Sequence, residues 1–226
     1  YSMRLITVYS ISMAAYFTNE WFRNNKQKTE LKNIQLETEL KYLRSQINPH
    51  FLFNTLNNIN SFVYTDPDKT SFSIIKLSDI MRYMLYESNA GKVSLEKEIN
   101  YINNYLDLQR LRVEKEDVIS FHVTGNGKGK KIAPMLFIPF VENALKHGGK
   151  KIKNALSVSI RISEKDIVFK CRNSLRMSEP EIGNYEGGLG LKNIKRRLEL
   201  LYPKEHTLLI EKDNSFFNVY LKIKAI

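Results

Sequence analysis

From Asn19 to about Val63 the chain holds no glycine and a single proline, Pro49, and Leu36, Leu40, Leu43 and Ile47 recur there at 4-3-4 spacing. That spacing is a helical seam, and it commits the first part of the chain to long helices. Pro49 removes one backbone hydrogen bond and favours a kink, yet apolar positions continue as Phe51, Leu52, Leu56, Ile59, Phe62 and Val63. One long kinked helix is expected. Asp66-Pro67-Asp68-Lys69 reads as a turn, and Ile74, Ile75, Leu77, Ile80, Met81, Met84 and Leu85 predict a second helix of similar pitch. Two such helices form a hairpin whose apolar stripe needs a partner, and pairing with a second copy as a four-helix bundle would bury it. After Asn89-Ala90-Gly91, Ser94 is a candidate N-cap with Glu96 in the first turn. A third helix is expected from Leu95 to about Arg112, with Ile99, Ile102, Leu106 and Leu111 at helical spacing.

The pattern changes near residue 114. Val118 to Val123 alternates as a strand, and Thr124 to Gly129 is a glycine-rich connection. Ala133 to Lys146 predicts a buried helix with Pro134 near its start. Strands are expected at about 155–163, 166–173, 207–211 and 216–224, with a helix at about 190–202. The fold class is therefore α+β: a helical hairpin followed by an α/β sandwich with helices on one face of a mixed sheet.

The 226 residues leave room for one large domain or two small ones. A single cysteine, Cys171, excludes an internal disulfide framework and a multi-cysteine zinc site, and fits a reducing compartment. The net charge of +11 is uneven: residues 1–113 carry +3 and residues 114–226 carry +8. An anionic partner is implied, whether nucleic acid, membrane surface or phosphate-bearing ligand. Ten of the thirteen residues from Leu5 to Phe17 are apolar, fewer than the roughly 20 needed to cross a bilayer as a helix. Because the chain opens at Tyr1 it reads as part of a longer protein, with residues 1–18 as the end of a transmembrane helix. Tyr16, Phe17 and Trp21 would form the aromatic belt, and Arg23, Lys26, Lys28 and Lys32 the positive flank. The alternative is the apolar face of a soluble helix packed in a dimer.

Three motifs carry chemistry. In Gln46-Ile47-Asn48-Pro49-His50-Phe51-Leu52-Phe53-Asn54-Thr55-Leu56-Asn57, asparagines at 48, 54, 57 and 58 lower the propensity of an otherwise helical stretch. A cost of that kind suggests a site, and an imidazole displayed on a helix can accept a phosphoryl group; the bland reading is a structural histidine. In Pro139-Phe140-Val141-Glu142-Asn143-Ala144-Leu145-Lys146-His147-Gly148-Gly149, Asn143 and Lys146 share a helix face. A side-chain amide can hold hydrated Mg²⁺ and a lysine can meet phosphate; the bland reading is a helix end where Lys146 and His147 complement the dipole. In Tyr185-Glu186-Gly187-Gly188-Leu189-Gly190-Leu191-Lys192-Asn193-Ile194 a glycine-rich turn opens a helix, where backbone N–H groups can face phosphate oxygens. Lys146, Lys150, Lys151, Lys192, Lys195, Arg196 and Arg197 cluster around the last two motifs.

Taken in this order, the motifs resemble the LytS-like (His_kinase) sensor histidine kinases of bacteria, from about residue 30 to the C-terminus. LRSQINPHFLFNTLNNI is similar to that family's segment around the phosphoaccepting histidine, PFVENALKHGG to the N box of the Bergerat (GHKL) ATP-binding fold, and GGLGLKNIKRRLELLY to its second glycine box. The resemblance implies an ATP-dependent, Mg²⁺-requiring protein-histidine kinase of a two-component system. His50 would be the phosphoacceptor and Glu142 its catalytic partner. Asn143 would hold Mg²⁺, and Asn143, Lys146, His147, Asn173, Gly187, Gly188 and Gly190 would bind ATP. It further implies dimerisation and phosphotransfer helices over 19–113, a catalytic ATP-binding domain over 114–226 and a homodimer. The partner would be a response regulator, often of the LytTR type, phosphorylated on an Asp. Attachment would be to the inner (cytoplasmic) membrane through an upstream helix, with these residues on the cytoplasmic side and no direct nucleic-acid contact.

The sequence departs from the family where a central strand ordinarily ends in an Asp that recognises the adenine amino group. Here Ile167 to Cys171 runs into Arg172-Asn173-Ser174-Leu175. Two-residue alternation puts Phe169, Cys171 and Asn173 on one face, so Asn173 takes the acid's place with one neutral acceptor oxygen. The first-box glycines are missing too. A catalytically weak dimeric signalling scaffold is therefore the alternative function.

Overall fold

The computed structural model describes residues 13, 16–35, 49–87, 91–112, 116–148, 155–175, 189–213 and 215–225. The chain divides into two compact units, Tyr1–Pro49 and His50–Ile226. In the first, residues 16–35 form a helix, α1, whose Tyr16, Phe17, Trp21, Phe22, Leu31 and Ile34 are exposed. No helix among the described residues is long and apolar enough to cross a membrane. The seam residues Leu36, Leu40, Leu43 and Ile47, and most of the apolar run Leu5–Phe17, lie outside the described residues.

The second unit takes in α2 (Pro49–Phe62) from His50 onward; the helix opens at the proline, where a missing N–H costs nothing. Phe51, Thr55 and Ile59 form its buried stripe, at i, i+4, i+8 spacing. Asp66 caps α3 (Pro67–Tyr86) by accepting from the Lys69 N–H, with proline in the first turn. The predicted turn is thus a helix start. Ser94 caps α4 (Leu95–Arg110) in the same way, as its position implied, by accepting from the Lys97 N–H. Leu77, Ile80, Tyr83 and Met84 of α3 meet Tyr101, Ile102, Tyr105 and Leu106 of α4 in one core. The Tyr83 and Tyr101 rings stack at 4.6 Å. At the other end of the pair Lys76 bridges to Asp107 at 2.8 Å, and Arg110 holds the same carboxylate at 2.8 Å. The last is only part-buried, so most of the pairing strength lies in the apolar contacts.

A 3₁₀ turn at Glu116–Val118 leads into β2 (Ile119–Thr124), while β1 (Val93–Ser94) and β3 (Lys131–Ile132) pair antiparallel as a separate two-stranded clip. The main sheet adds β4 (Leu156–Ile162), β5 (Asp166–Ser174), β6 (His206–Lys212) and β7 (Phe216–Lys224) in the order β2-β4-β5-β7-β6. Only β2 and β4 run parallel; the other neighbours are antiparallel. Between those two strands lies α5 (Ile138–His147), and between β5 and β6 lies α6 (Leu189–Leu201). Val158, Ile160, Ile167, Phe169, Cys171, Val219, Leu221 and Ile223 alternate onto one buried face. There Phe137 stacks on Phe169 at 4.7 Å, and Phe140 lies 5.8 Å from the same ring. Full burial of such a ring contributes about 1.5–3 kcal/mol. These elements match the α+β class and the mixed sheet expected from the pattern.

The helix predicted from Ala133 starts instead at Ile138, with Pro139 in its first turn. Residues 133–137 are held in another conformation by long-range partners. Ile132 pairs with Val93 in the β1–β3 clip, and Met135 adopts φ 52, a left-handed backbone that interrupts a helix. The glycine-rich connection also has a specific requirement. Gly125 has φ +96, and a Cβ there would lie 2.0 Å from the Ile162 carbonyl oxygen.

Candidate functional site

His50 is exposed in the first turn of α2. The Asn54 amide, one helical turn on, sits 3.0 Å from Nε2 and 3.2 Å from Nδ1. Such an amide can fix which ring nitrogen carries the proton. The asparagines that lower helix propensity thus include one that touches the histidine. Next to His50, Phe51 is buried and stacks on Tyr105 of α4 at 4.6 Å, which anchors the turn bearing the imidazole.

Glu142 and Asn143 are half-buried on α5, and Lys146 and His147 are exposed in its last turn. Burial, and then the charge of Glu142, push the phenols of Tyr101 and Tyr105 above the ordinary value of 10. The charge of Glu142 is therefore felt at these α4 tyrosines, of which Tyr105 stacks on Phe51, the residue after His50. The C-terminal end of α5 meets the end of β5: Gly148 bridges Leu175, and the Gly148 N–H donates to the Ala144 carbonyl at 2.8 Å. A Cβ on Gly148 would lie 2.5 Å from the Ala144 carbonyl oxygen, so glycine is required against the end of its own helix, whereas Asn173 Cβ at 3.5 Å and Nδ2 at 3.6 Å would be ordinary contacts. Asn173 is only 1% exposed, and its Nδ2 donates to the Ser174 carbonyl at 3.2 Å. A carboxamide oxygen can in general accept from an amino group.

Glu142, Asn143, Lys146, His147 and Asn173 thus belong to one helix and the strand packed against it. Gly187 and Gly188 lie outside the described residues, while Gly190 falls in the first turn of α6. Among the described residues no group of three or more His, Cys, Asp or Glu side chains could hold a metal. A Mg²⁺ ion at Asn143 would therefore complete its shell with water and phosphate oxygens, as this hard cation commonly does. Of the basic residues expected around phosphate, Arg197 is engaged elsewhere: its guanidinium donates to the Pro134 carbonyl at 2.6 Å and to the Met135 carbonyl at 3.1 Å. Arg196 pairs with Glu199 at 3.2 Å.

Sequence reasoning missed Glu98. It is a fully buried carboxylate on α4 that accepts from the Tyr83 hydroxyl and from the N–H groups of Met135, Leu136 and Phe137. The available signal was its place in the stripe Leu95, Glu98, Ile102, Tyr105, where a charged residue interrupts an otherwise buried face.

The sequence profile of a family described as Histidine kinase matches residues 38–117, which include His50 and run through α2, α3 and α4. Over these residues the chain belongs to the histidine kinase family. Sensor protein LytS of Staphylococcus saprophyticus is 27% identical over 234 residues, covering 90% of this chain and 40% of that protein. Sensor protein LytS of Bacillus cereus is 30% identical over 199 residues, covering 82% of this chain and 34% of that protein. This family member therefore spans well under half the length of the curated relatives it matches. Among solved structures, the histidine kinase domain from the Erythrobacter litoralis EL346 blue-light activated histidine kinase aligns with 16% identity and TM-score 0.44, covering 81% of this chain and 92% of that one.

Proposed function

We propose that this chain is the ATP-dependent kinase part of a two-component sensor. In this reading the γ-phosphoryl of Mg-ATP passes to His50 and then to an Asp of a response regulator, of the LytTR type by family resemblance. The carrying observation is an exposed imidazole with an amide at both ring nitrogens, inside the segment that matches the family. In the transfer one imidazole nitrogen forms the N–P bond as the bond from phosphorus to the β-phosphate oxygen of ADP breaks. The attacking nitrogen must present its lone pair, so the proton belongs on the other. The Asn54 Nδ2, a donor beside the ring, marks the nitrogen that keeps its lone pair and so sets the proton on the other. Glu142 takes the proton released as imidazole becomes phosphoimidazole. Asn143 orients Mg²⁺, Lys146 and His147 meet phosphate, and Asn173 accepts from the adenine amino group, with Gly187, Gly188 and Gly190 in the lid. Positioning and charge neutralisation then supply most of the rate.

Residues 19–113 are proposed as the dimerisation and phosphotransfer part and 114–226 as the catalytic part. Exposed Phe53, Leu56, Ile74 and Ile75 on α2 and α3 support pairing with a second copy. Trp21 and the basic residues of α1 support attachment to the cytoplasmic face of the inner membrane. The test is phosphorylation from γ-labelled ATP in wild type and His50→Gln. Acid-labile, base-stable label lost in the variant is expected; the same label persisting would remove His50 from the role.

Asn173 favours one second reading, a dimeric scaffold that transmits a signal without kinase chemistry, because a neutral amide replaces the charged acceptor. Calorimetry separates the two: binding at micromolar Mg-ATP supports the kinase, and none at millimolar concentration supports the scaffold.

A further inference from the structure

Glu98 has no solvent exposure, yet it is surrounded by donors. Its Oε1 accepts from Leu136 N–H at 2.8 Å and Phe137 N–H at 3.3 Å. Its Oε2 accepts from Met135 N–H at 2.9 Å and from the Tyr83 hydroxyl. Four donors match the roughly four lone-pair sites of a carboxylate. Three of those donors belong to the residues that lead directly into α5, a helix whose own N-cap, Phe137, provides no side-chain hydrogen bond. A helix start of this kind leaves N–H groups unpaired unless another element supplies acceptors, and a negative charge there also complements the helix dipole. The acceptor comes from α4, 37 to 39 positions earlier in sequence.

The same short segment is gripped from its other side. The Tyr202 hydroxyl, just beyond α6, accepts from the Ala133 N–H at 2.8 Å, and Arg197 of α6 binds the Pro134 and Met135 carbonyls. Residues 133–137 thereby tie α3 and α4, through Tyr83 and Glu98, to α5, which bears Glu142 and Asn143, and to α6, which follows the glycine box. Met135 at φ 52 is held in its unusual conformation by these partners.

We infer that Glu98 is a positioning residue: it fixes the first turn of α5 to α4 and, through the Tyr83 hydroxyl, makes that turn sensitive to where α3 stands. Movement of α3 along α4 withdraws one donor from a carboxylate that has no water to replace it. The strain falls on the three amides that begin α5, and so on the orientation of Glu142 and Asn143. This inference rests on the proposed kinase reading for its consequence, although not for its geometry.

The experiment uses the full chain as wild type, Tyr83→Phe and Glu98→Gln, with hydrogen exchange by segment and steady-state phosphorylation of His50. Tyr83→Phe removes one hydroxyl and keeps the ring stack on Tyr101. Glu98→Gln keeps the shape and turns one acceptor into a donor facing N–H groups. Exchange across 133–147 should accelerate about tenfold or more in both, the size expected when a hydrogen bond to a charged group is lost, while β5 and β7 stay protected. The kcat should fall by about the same factor and KM for Mg-ATP should change far less, since catalytic alignment rather than binding is disturbed. Unchanged exchange at 133–147 overturns the inference. So does acceleration spread evenly over the sheet, which would assign Glu98 to stability alone, and so does local acceleration with kcat intact. If wild type forms no phosphohistidine the kinase reading fails by itself, and the exchange data still judge the link between Tyr83, Glu98 and α5.

Discussion

Exchanging Asn173 for Asp sets two effects of the same atom against each other. Asn173 is 1% exposed and donates through Nδ2 to the Ser174 carbonyl. Asn173→Asp deletes that donor and turns a buried carboxylate oxygen toward a carbonyl, which should cost about 1–3 kcal/mol without ligand. For a chain of this size each kcal/mol moves Tm by about 2–4 °C, so the apo midpoint should fall by roughly 2–12 °C. In the proposed ATP complex a charged acceptor would meet the adenine amino group in place of a neutral one. That exchange gains about 1 kcal/mol, or roughly fivefold in Kd. Thermal melts with and without Mg-ATP, together with calorimetric titration, read both quantities. The variant should melt lower when empty, gain more from ATP than wild type, and bind it about fivefold more tightly. A lower apo Tm with unchanged or weaker ATP binding would refute the reasoning and leave Asn173 as a structural amide only.

Gly125→Ala should lose about 3 kcal/mol or more, because the new Cβ would meet the Ile162 carbonyl oxygen at 2.0 Å in a backbone with φ +96; denaturant unfolding measures it, and a loss below about 1 kcal/mol would contradict the close approach of these segments. Burial pushes the Cys171 thiol up to about 12 from 9.0. The unfolded chain therefore ionises first, and stability from this group, complete below pH 9, should decline as pH rises from about 9 toward 12. The buried tyrosines act in the same direction above pH 10, so the comparison is with Cys171→Ala, which should decline less over that window; equal slopes would refute the assignment. The native thiol should also resist iodoacetamide at pH 7.5 and react only on unfolding, and rapid labelling of folded protein would show that it is accessible.

What was legible in the sequence was whatever depends on near neighbours. The ranges expected for β4, β5 and β7 lie close to those observed, and alternation put Asn173 on one face with Phe169 and Cys171, a face that the fold buries. The N-cap role of Ser94 follows from a side chain and an N–H three residues apart. The start of α5 was not legible, because Ala133 to Phe137 are bound by Glu98, Arg197 and Tyr202, all distant in sequence. Tertiary partners override local propensity there. Arg197 shows a related limit. A cluster of basic residues reports charge, not aim, and this guanidinium points at carbonyl oxygens rather than at an open surface. His50 falls between these cases: the unusual asparagine content marked its surroundings, while the side-chain rotamers that bring Asn54 to the ring are set only in the folded helix.

The separation of Glu98 from its amide partners bears on how the polypeptide comes off the ribosome. The α3–α4 hairpin is made of local contacts and can form as soon as residue 110 has emerged. At that moment the Glu98 carboxylate still faces water, because Met135, Leu136 and Phe137 have yet to leave the exit tunnel. Strand β2 waits longer still, since Ile119 pairs with Leu156. A nascent chain of this protein therefore passes through a stage with a charged, solvated carboxylate on α4, which discourages premature burial against other apolar segments. Translation of the next few tens of residues then supplies the donors that pair with it.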